Sequence, residues 1–283
     1  MSSYKITFIT PLFSRGALET PEIRPPSIRG QLHWWFRALG GSYDDEKAVF
    51  GGVHKGATAS KVVIRVSGIT GETGDFKTLP HKKGGMASPK KAFAPGTSCE
   101  IHVLNRLGGF ALERHQALFA RSLEAWLLLG TLGLRATRAA GSFVWSPLGE
   151  YGPCMPATPG AYETRCREVL GSAPLKHAIL DTPFDSAEAA REVVSDTLGG
   201  RNDPDGENDL ARLNYPLGKI FKGRKTSPLR FRVVSPGKDR FFIAAVWDDR
   251  QAVTGNRAGD LEGLIKLLQR KKPALGNQLG KMA

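Results

Sequence analysis

Residues 112–145 read LERHQALFARSLEAWLLLGTLGLRATRAAGSFVW, and the reading of this stretch decides the fold. Leu112, Phe119, Leu123 and Trp126 fall on one side of a 3.6-residue period with Arg114 and Arg121 opposite, the pattern of a helix that buries one face. A glycine-bearing segment follows, and residues 142–145 open a strand. Upstream the period is two. Tyr4, Ile6 and Phe8 alternate with Lys5, Thr7 and Ile9; Val62, Ile64 and Val66 share one face of KVVIRVS; Cys99, Ile101 and Val103 share one face of CEIHVLN.

With a short helix after the first strand, the order is β-α-β-β-α-β. This predicts an α+β protein built on a ferredoxin-like, RRM-like unit, an antiparallel sheet with both helices on one face. The second half repeats the order in weaker form. PLKHAIL reads as a strand, and DSAEAAREVVSDTL as a helix opened by an Asp185, Glu188 capping box and stopped at Gly199-Gly200. SPLRFRVV and DRFFIAAVW form a hairpin across SPGKD. DLEGLIKLLQRKK sets Leu261, Leu264, Ile265 and Leu268 on one stripe, with Asp260 as its cap. No final strand follows. The expected organisation is tandem: a first domain over 1–156 and a second, degenerate ferredoxin-like domain over 157–283, joined near the Pro/Gly-rich GEYGPCMPATPGA.

The helix after the first strand lies in EIRPPSIRGQLHWWFRALGG, residues 22–41. Two prolines oppose helix before Ser27, so Ser27 is the expected N-cap and the helix is expected to start near Ile28 and end at Gly40. Ile28, Leu32, Trp35 and Leu39 form an apolar stripe, while Arg29, His33 and Arg37 occupy successive i, i+4 positions on another flank. Trp35 belongs to the core; Trp34 points away from the stripe, toward a loop, a subunit or a base. A row of same-sign side chains has an anion as its complement, or else a neighbouring acid. The first amides of the helix, with Gly30 permitting close approach, add a second attraction for phosphate.

Forty Lys and Arg against 27 Asp and Glu leave a formal charge of +13, which favours a polyanionic partner such as nucleic acid. The connection 68–97 is long and basic, carrying Lys82, Lys83, Lys90 and Lys91 around glycines and a proline, and reads as an arm that tracks a phosphate backbone or a solvated insertion. Residues 201–216 form a second long connection of mixed charge. Three cysteines without C-x-x-C spacing predict neither a disulfide framework nor a zinc site, and no histidine pair has metal-ligand spacing. No metal or cofactor is therefore expected. The start MSSYKITFIT lacks a cleavable apolar core and no apolar run spans a bilayer, which predicts a cytoplasmic protein with no membrane contact.

Four ordered segments, ITPLFSRGA, EIRPPSIRGQLHWWFRALGG, EKAVFGG and GLRATRAAGSF, together resemble the RAMP superfamily of CRISPR effector proteins, in particular the first-numbered subunit of the type III-B Cmr complex. RKTSPLRFRVV extends a weaker similarity into the second half. The resemblance implies ferredoxin-like domains, a glycine-rich loop after the second helix, and a non-catalytic subunit near the distal, 3′ end of the guide RNA. The implied partners are guide RNA, complementary target RNA and neighbouring RAMP or Cas subunits. Arg29, Arg37, Arg135 and Arg138 match the expected basic positions. His33 stands where a permanently charged residue is expected. Gly133 and Gly141 suit a turn that brings backbone amides near phosphate oxygens. The expected RNA contacts are thus Ser27, Arg29, Gly30, His33, Arg37, Lys82, Lys83, Lys90, Lys91, Arg135 and Arg138, with no catalytic residue.

The alternative is a metal-independent guide-processing endoribonuclease using His33 for acid-base work and a lysine to stabilise the phosphorane. No second general acid or base stands at a readable spacing from His33. A target-cleaving subunit would use a loop aspartate, for which Asp75 is the candidate. A third reading is a protein-bound scaffold whose basic surface only solvates the assembly.

Overall fold

The computed structural model describes residues 2–17, 20–53, 56–82, 84–106, 108–150, 152–199, 227–237, 240–248, 250–254 and 258–270. Strand β1 (Ser2–Phe8) lies between β5 (Ser98–Asn105) and β6 (Phe143–Pro147), and β5 pairs in turn with β2 (Val62–Thr70), every pairing antiparallel. Helices α1 (Pro25–Ala38) and α3 (Glu113–Leu129) cover one face of this sheet, where Tyr4, Ile6, Phe8, Ile101 and Val103 share one apolar cluster with Leu32, Trp35, Phe119, Leu123 and Trp126. The period-two and period-3.6 stripes thus meet as expected. Leu112 does not join them: it is the exposed N-cap residue preceding α3.

Between α1 and β2 a short helix, α2 (Tyr43–Phe50), is closed by a capping box in which the Ser42 hydroxyl accepts from Asp45 N and the Asp45 carboxylate accepts from Ser42 N. The same carboxylate holds α3, through Arg114 at 3.0 Å and His115 Nε2 at 2.8 Å.

The connection 68–97 is an ordered element rather than a bare loop. After β2 it forms the hairpin β3 (Thr73–Lys77) and β4 (Pro89–Phe93), joined through a 3-10 turn at Gly84–Ala87. It is anchored by packing and by hydrogen bonds: Phe76 and Ala92 pack with Phe13 and Ala140, Phe93 and Leu12 exchange backbone hydrogen bonds at 3.1 Å, and the buried Arg191 donates to Lys77 O at 2.7 Å. Lys83 and the connection 201–216 lie outside the described residues.

In the second half β7 (Lys176–Ile179), β9 (Phe242–Trp247) and β8 (Leu229–Val234) form an antiparallel sheet in the order β7-β9-β8. Before it comes a helix that hydrophobic pattern alone did not reveal, α4 (Pro159–Leu170), capped by Thr158 and buried through Tyr162, Cys166, Val169 and Leu170 in the larger, first cluster. Helix α5 (Ala187–Gly199) and, after the short α6 (Gln251–Thr254), helix α7 (Ala258–Arg270) pack a second core in which Leu261, Leu264, Ile265 and Leu268 meet Val194, Phe231 and Ile243. The Asp185, Glu188 box is not formed. Ser186 Oγ accepts from Ala189 N, Asp185 pairs with Arg240 at 2.6 Å, and Glu188 pairs with Arg191 at 2.9 Å. Helix α7 starts two residues before Asp260, which therefore sits inside its first turn rather than at the cap.

Alternation along β8 joins the halves. Leu229, Phe231 and Val233 face the second core, whereas Arg230 and Arg232 reach the first. The Arg230 guanidinium lies 3.6 Å from the centroid of Trp34, with Gln31 Oε1 at 3.4 Å. Burial lowers the Arg230 pKa to about 10. Trp34 thus takes an intramolecular partner at the edge of the same core that buries Trp35.

Trp34→Ala and Arg230→Met are each expected to cost about 1–2 kcal/mol in urea denaturation. The double variant should cost less than the two added, by about 0.5 kcal/mol or more; full additivity would remove the stacking contact from the account. The hydrogen bonds from Ser42 and His115 hold the Asp45 carboxyl down at about 2. A pKa depressed on folding stabilises above the unfolded value, and that contribution is lost as pH falls from about 4 toward 2. Asp45→Asn should lower stability by roughly 1 kcal/mol at pH 7 and flatten the acid limb of a pH–denaturation curve; an unaltered acid limb would contradict it.

Candidate nucleic-acid interface

Helix α1 starts at Pro25 rather than at Ile28, with Arg24 as N-cap and no side-chain cap. Pro25 and Pro26 have the backbone angle a first turn requires and no N–H to leave unsatisfied. The next two amides, of Ser27 and Ile28, both donate to Arg24 O, at 3.0 and 3.4 Å. The expected Ser27 cap and the cradle of free amides are therefore absent. Gly30 is exposed, and a Cβ there would meet nothing within 4 Å.

The row Arg29, His33, Arg37 is complemented from within the chain. Glu46 of α2 receives His33 Nδ1 at 2.6 Å and faces Arg37 Nε at 3.7 Å. Arg29 donates to Phe50 O and, at 3.1 Å, to Ser60 Oγ, and the His33 ring stacks on Phe50 at 4.0 Å. EKAVFGG and the basic helix are thus two sides of one contact. Arg37, with its side chain 60% exposed, is the member of the row most open to solvent.

The glycine-rich segment 130–142 crosses the meeting place of the two halves. Gly133 and Gly141 have positive φ of 86° and 65°, and an added Cβ would lie 2.6 Å from Phe13 O and 1.9 Å from Leu132 O. These glycines admit neighbouring backbone. Several local amides are already used: Leu134 N donates to Phe13 O, Gly141 N to Pro11 O, and Ala139 N to Phe231 O. These amides are closed to phosphate, and the positive charge of the segment resides in its side chains.

Those side chains converge with the hairpin. His81 precedes Lys82 and hydrogen-bonds through Nδ1 to Ser195 Oγ of α5 at 2.8 Å. Burial lowers the His81 pKa, Asp196 opposes this, and Lys82, Arg138 and Arg135 add to the lowering, so these cations share one electrostatic neighbourhood. Burial, reinforced by Arg135, also lowers the pKa of Arg138. Arg138 is half-buried and pairs with no carboxylate among the described residues. Lys90 and Lys91 lie exposed on β4, with Asp75 opposite Lys91 in register. The residues expected to act together therefore divide among the α1 row held by α2, the junction cluster of Lys82, Arg135 and Arg138, and the exposed pair Lys90 and Lys91 on β4.

The uncovered face of the first sheet carries Ser3, Lys5, Thr7, Arg65, Ser67, Glu100, His102 and Ser146. His102 hydrogen-bonds Ser3 and Ser67, each at 2.9 Å. Among the described residues of these strands this face has no aromatic side chain, so it lacks the stacking platform of RNA-recognition modules. Arg230, Arg232 and His81 were not singled out from sequence, although the alternating arginines of LRFRVV mark a strand face that meets something polar or aromatic. Among the described residues no helix is long and apolar enough to cross a membrane, and no group of three or more His, Cys, Asp or Glu is placed to hold a metal ion.

Residues 5–144 match the RAMP superfamily model. Over 148 residues the chain is 33% identical to the CRISPR system Cmr subunit Cmr1-1 of Pyrococcus furiosus, covering 44% of this chain and 40% of that one. Over 41 residues it is 49% identical to subunit Cmr1-2 of the same organism, covering 14% and 22%. The matched stretches span less than half the length of these curated relatives. In fold, the chain is similar to the crystal structure of Cmr1 from Pyrococcus furiosus in its apo form, with a TM-score of 0.56, 21% identity and 87% of each chain covered. It is also similar to a chain of the cryo-EM structure of the type III-B Cmr-beta complex bound to cognate target RNA, with a TM-score of 0.60, 10% identity and coverage of 95% and 99%.

Proposed function

From the premise that residues 5–144 carry the RAMP superfamily pattern, we propose that the chain is a non-catalytic, RNA-contacting structural subunit of a type III CRISPR effector complex. It would cap the assembly near the 3′ end of the guide RNA, in the cytoplasm, beside other RAMP subunits, and touch guide or target strand. The names of its relatives, subunits of a Cmr system, support the assembly. The strand orders β2-β5-β1-β6 and β7-β9-β8 support tandem ferredoxin-like domains over 1–156 and 157–283, the second without its last strand.

The observation that carries RNA contact is the junction cluster. Lys82, Arg135 and Arg138 come from two separated segments, and Arg138 is a half-buried cation for which the described residues supply no carboxylate. A desolvated cation lacking an acid is complemented by an incoming phosphate. Contacts of this kind hold the backbone and leave sequence to base pairing. Lys90, Lys91 and Arg37 are the accessory cations of this reading. Ser27, Gly30, Arg29 and His33 contribute less, because the amides of α1 are engaged and Arg29 and His33 already have protein partners.

Arg135→Ala with Arg138→Ala should weaken binding of the purified chain to a labelled single-stranded RNA and lower the slope of log affinity against log salt by about 0.7 per lost contact. Equal affinity and slope would remove the junction from the interface. His33, held by Glu46, is the residue a guide-processing ribonuclease would need. A labelled repeat RNA should stay intact with this chain; cleavage abolished by His33→Ala would replace the structural reading with the enzymatic one.

A further inference from the structure

Arg232 is the most deeply buried cation described, with 0% exposure, and no carboxylate among the described residues pairs with it. Burial lowers its pKa. The acidic side chains nearest to it are neutral at pH 7: burial raises the pKa of the Tyr162 hydroxyl and pushes the Cys166 thiol up to about 12. Its negative complement is backbone. Nη1 donates to Leu127 O, to Gly130 O at 2.9 Å and to Trp126 O at 3.4 Å, and Nη2 donates to Phe143 O. The first three carbonyls end α3, where the helix dipole presents negative charge. Phe143 and Trp145 flank the guanidinium at 4.3 and 5.5 Å.

Gly130 and Phe143 bracket the glycine-rich segment, so this one side chain fixes both ends of the loop that presents Arg135 and Arg138. Neighbouring bonds tie the same loop to β8: Val233 N donates to Ser142 Oγ at 3.0 Å, and Phe231 and the loop exchange backbone bonds through Thr137 O and Ala139 N, both at 3.2 Å. Two loop residues, Arg135 and Ala139, are held at φ of 61°, a conformation that non-glycine residues keep only when their surroundings impose it.

We infer that Arg232 is the positioning residue of the RNA contact: from the second half it clamps the two ends of the loop of the first half and holds Arg135 and Arg138 in their binding geometry. This rests on the reading of the junction as an RNA interface. It also ties the cations of the first half to the second half of the chain.

The test uses the full chain and Arg232→Lys, which keeps the charge but cannot reach carbonyls at both ends of the loop. Amide hydrogen exchange should quicken at Leu132, Leu134, Ala139 and Gly141, with the middle of α3 protected as before. Affinity for a single-stranded RNA should fall roughly twofold to thirtyfold. In a cycle with Arg135→Ala plus Arg138→Ala, the effect of Arg232→Lys should largely vanish, because there is no longer a contact to position. Unchanged exchange in the loop, or an additive RNA effect, overturns the positioning role while leaving the interface standing. If the loop variants do not alter RNA affinity, the interface reading fails, and quickened exchange then reports a clamp without that purpose. Should Arg232→Lys not fold, Ser142→Ala, which removes the bond to Val233 N, takes its place with the same expected pattern and the same overturning results.

Discussion

A guanidinium sealed in a protein interior must find its hydrogen-bond acceptors there, and Arg232 finds them at the end of α3 and the start of β6. Truncation of such a group leaves several carbonyls unpaired at once, which makes the junction of the halves a cooperative unit rather than a loose contact. The glycine-rich segment is shaped by that constraint. Gly133 and Gly141 sit where the backbone of Phe13 and Leu132 leaves no room for a Cβ, and the amides of Leu134, Gly141 and Ala139 are taken by the Phe13, Pro11 and Phe231 carbonyls. Between the clamped ends the segment carries Arg135 and Arg138, of which Arg138 pairs with no carboxylate among the described residues.

The basic flank of α1 obeys the same rule with a different outcome. His33 and Arg37 share Glu46, and Arg29 is drawn to the Phe50 carbonyl, so the positive row is largely neutralised by α2. Helix α2 is in turn fixed by Asp45, which holds its own cap and two residues of α3. A net charge of +13 therefore overstates how much positive surface is free. The charge that matters is the part without an internal acid, and among the expected sites Arg138 is the clearest case.

Much of the fold was legible in sequence because it depends on local periodicity. Tyr4, Ile6 and Phe8 alternate into the core, and Leu261, Leu264, Ile265 and Leu268 fall on one buried stripe, with no knowledge of their partners required. Features set by competing local rules were misread. The prolines before Ser27 read as a barrier to helix, yet they occupy its first turn, and Asp185 forgoes capping for Arg240. Features set by distant partners were out of reach: the hairpin within 68–97 is held by Phe13 and Ala140, Trp34 waits for Arg230, and Glu46 for His33. The candidate site was legible as residue types but not as a place. Sequence put Arg29 and Arg138 on an equal footing, and only the geometry separates an arginine that braces α2 from one at the junction.

The halves, the loop and the hairpin thus converge on one cationic junction, and the central claim is that RNA lies there. The most direct measurement is protein–RNA crosslinking with peptide mapping in the assembled effector particle. The account predicts crosslinked peptides from residues 81–91 and 134–139 of this chain. Crosslinks confined to other surfaces of the chain, with both peptides recovered unmodified, would contradict it.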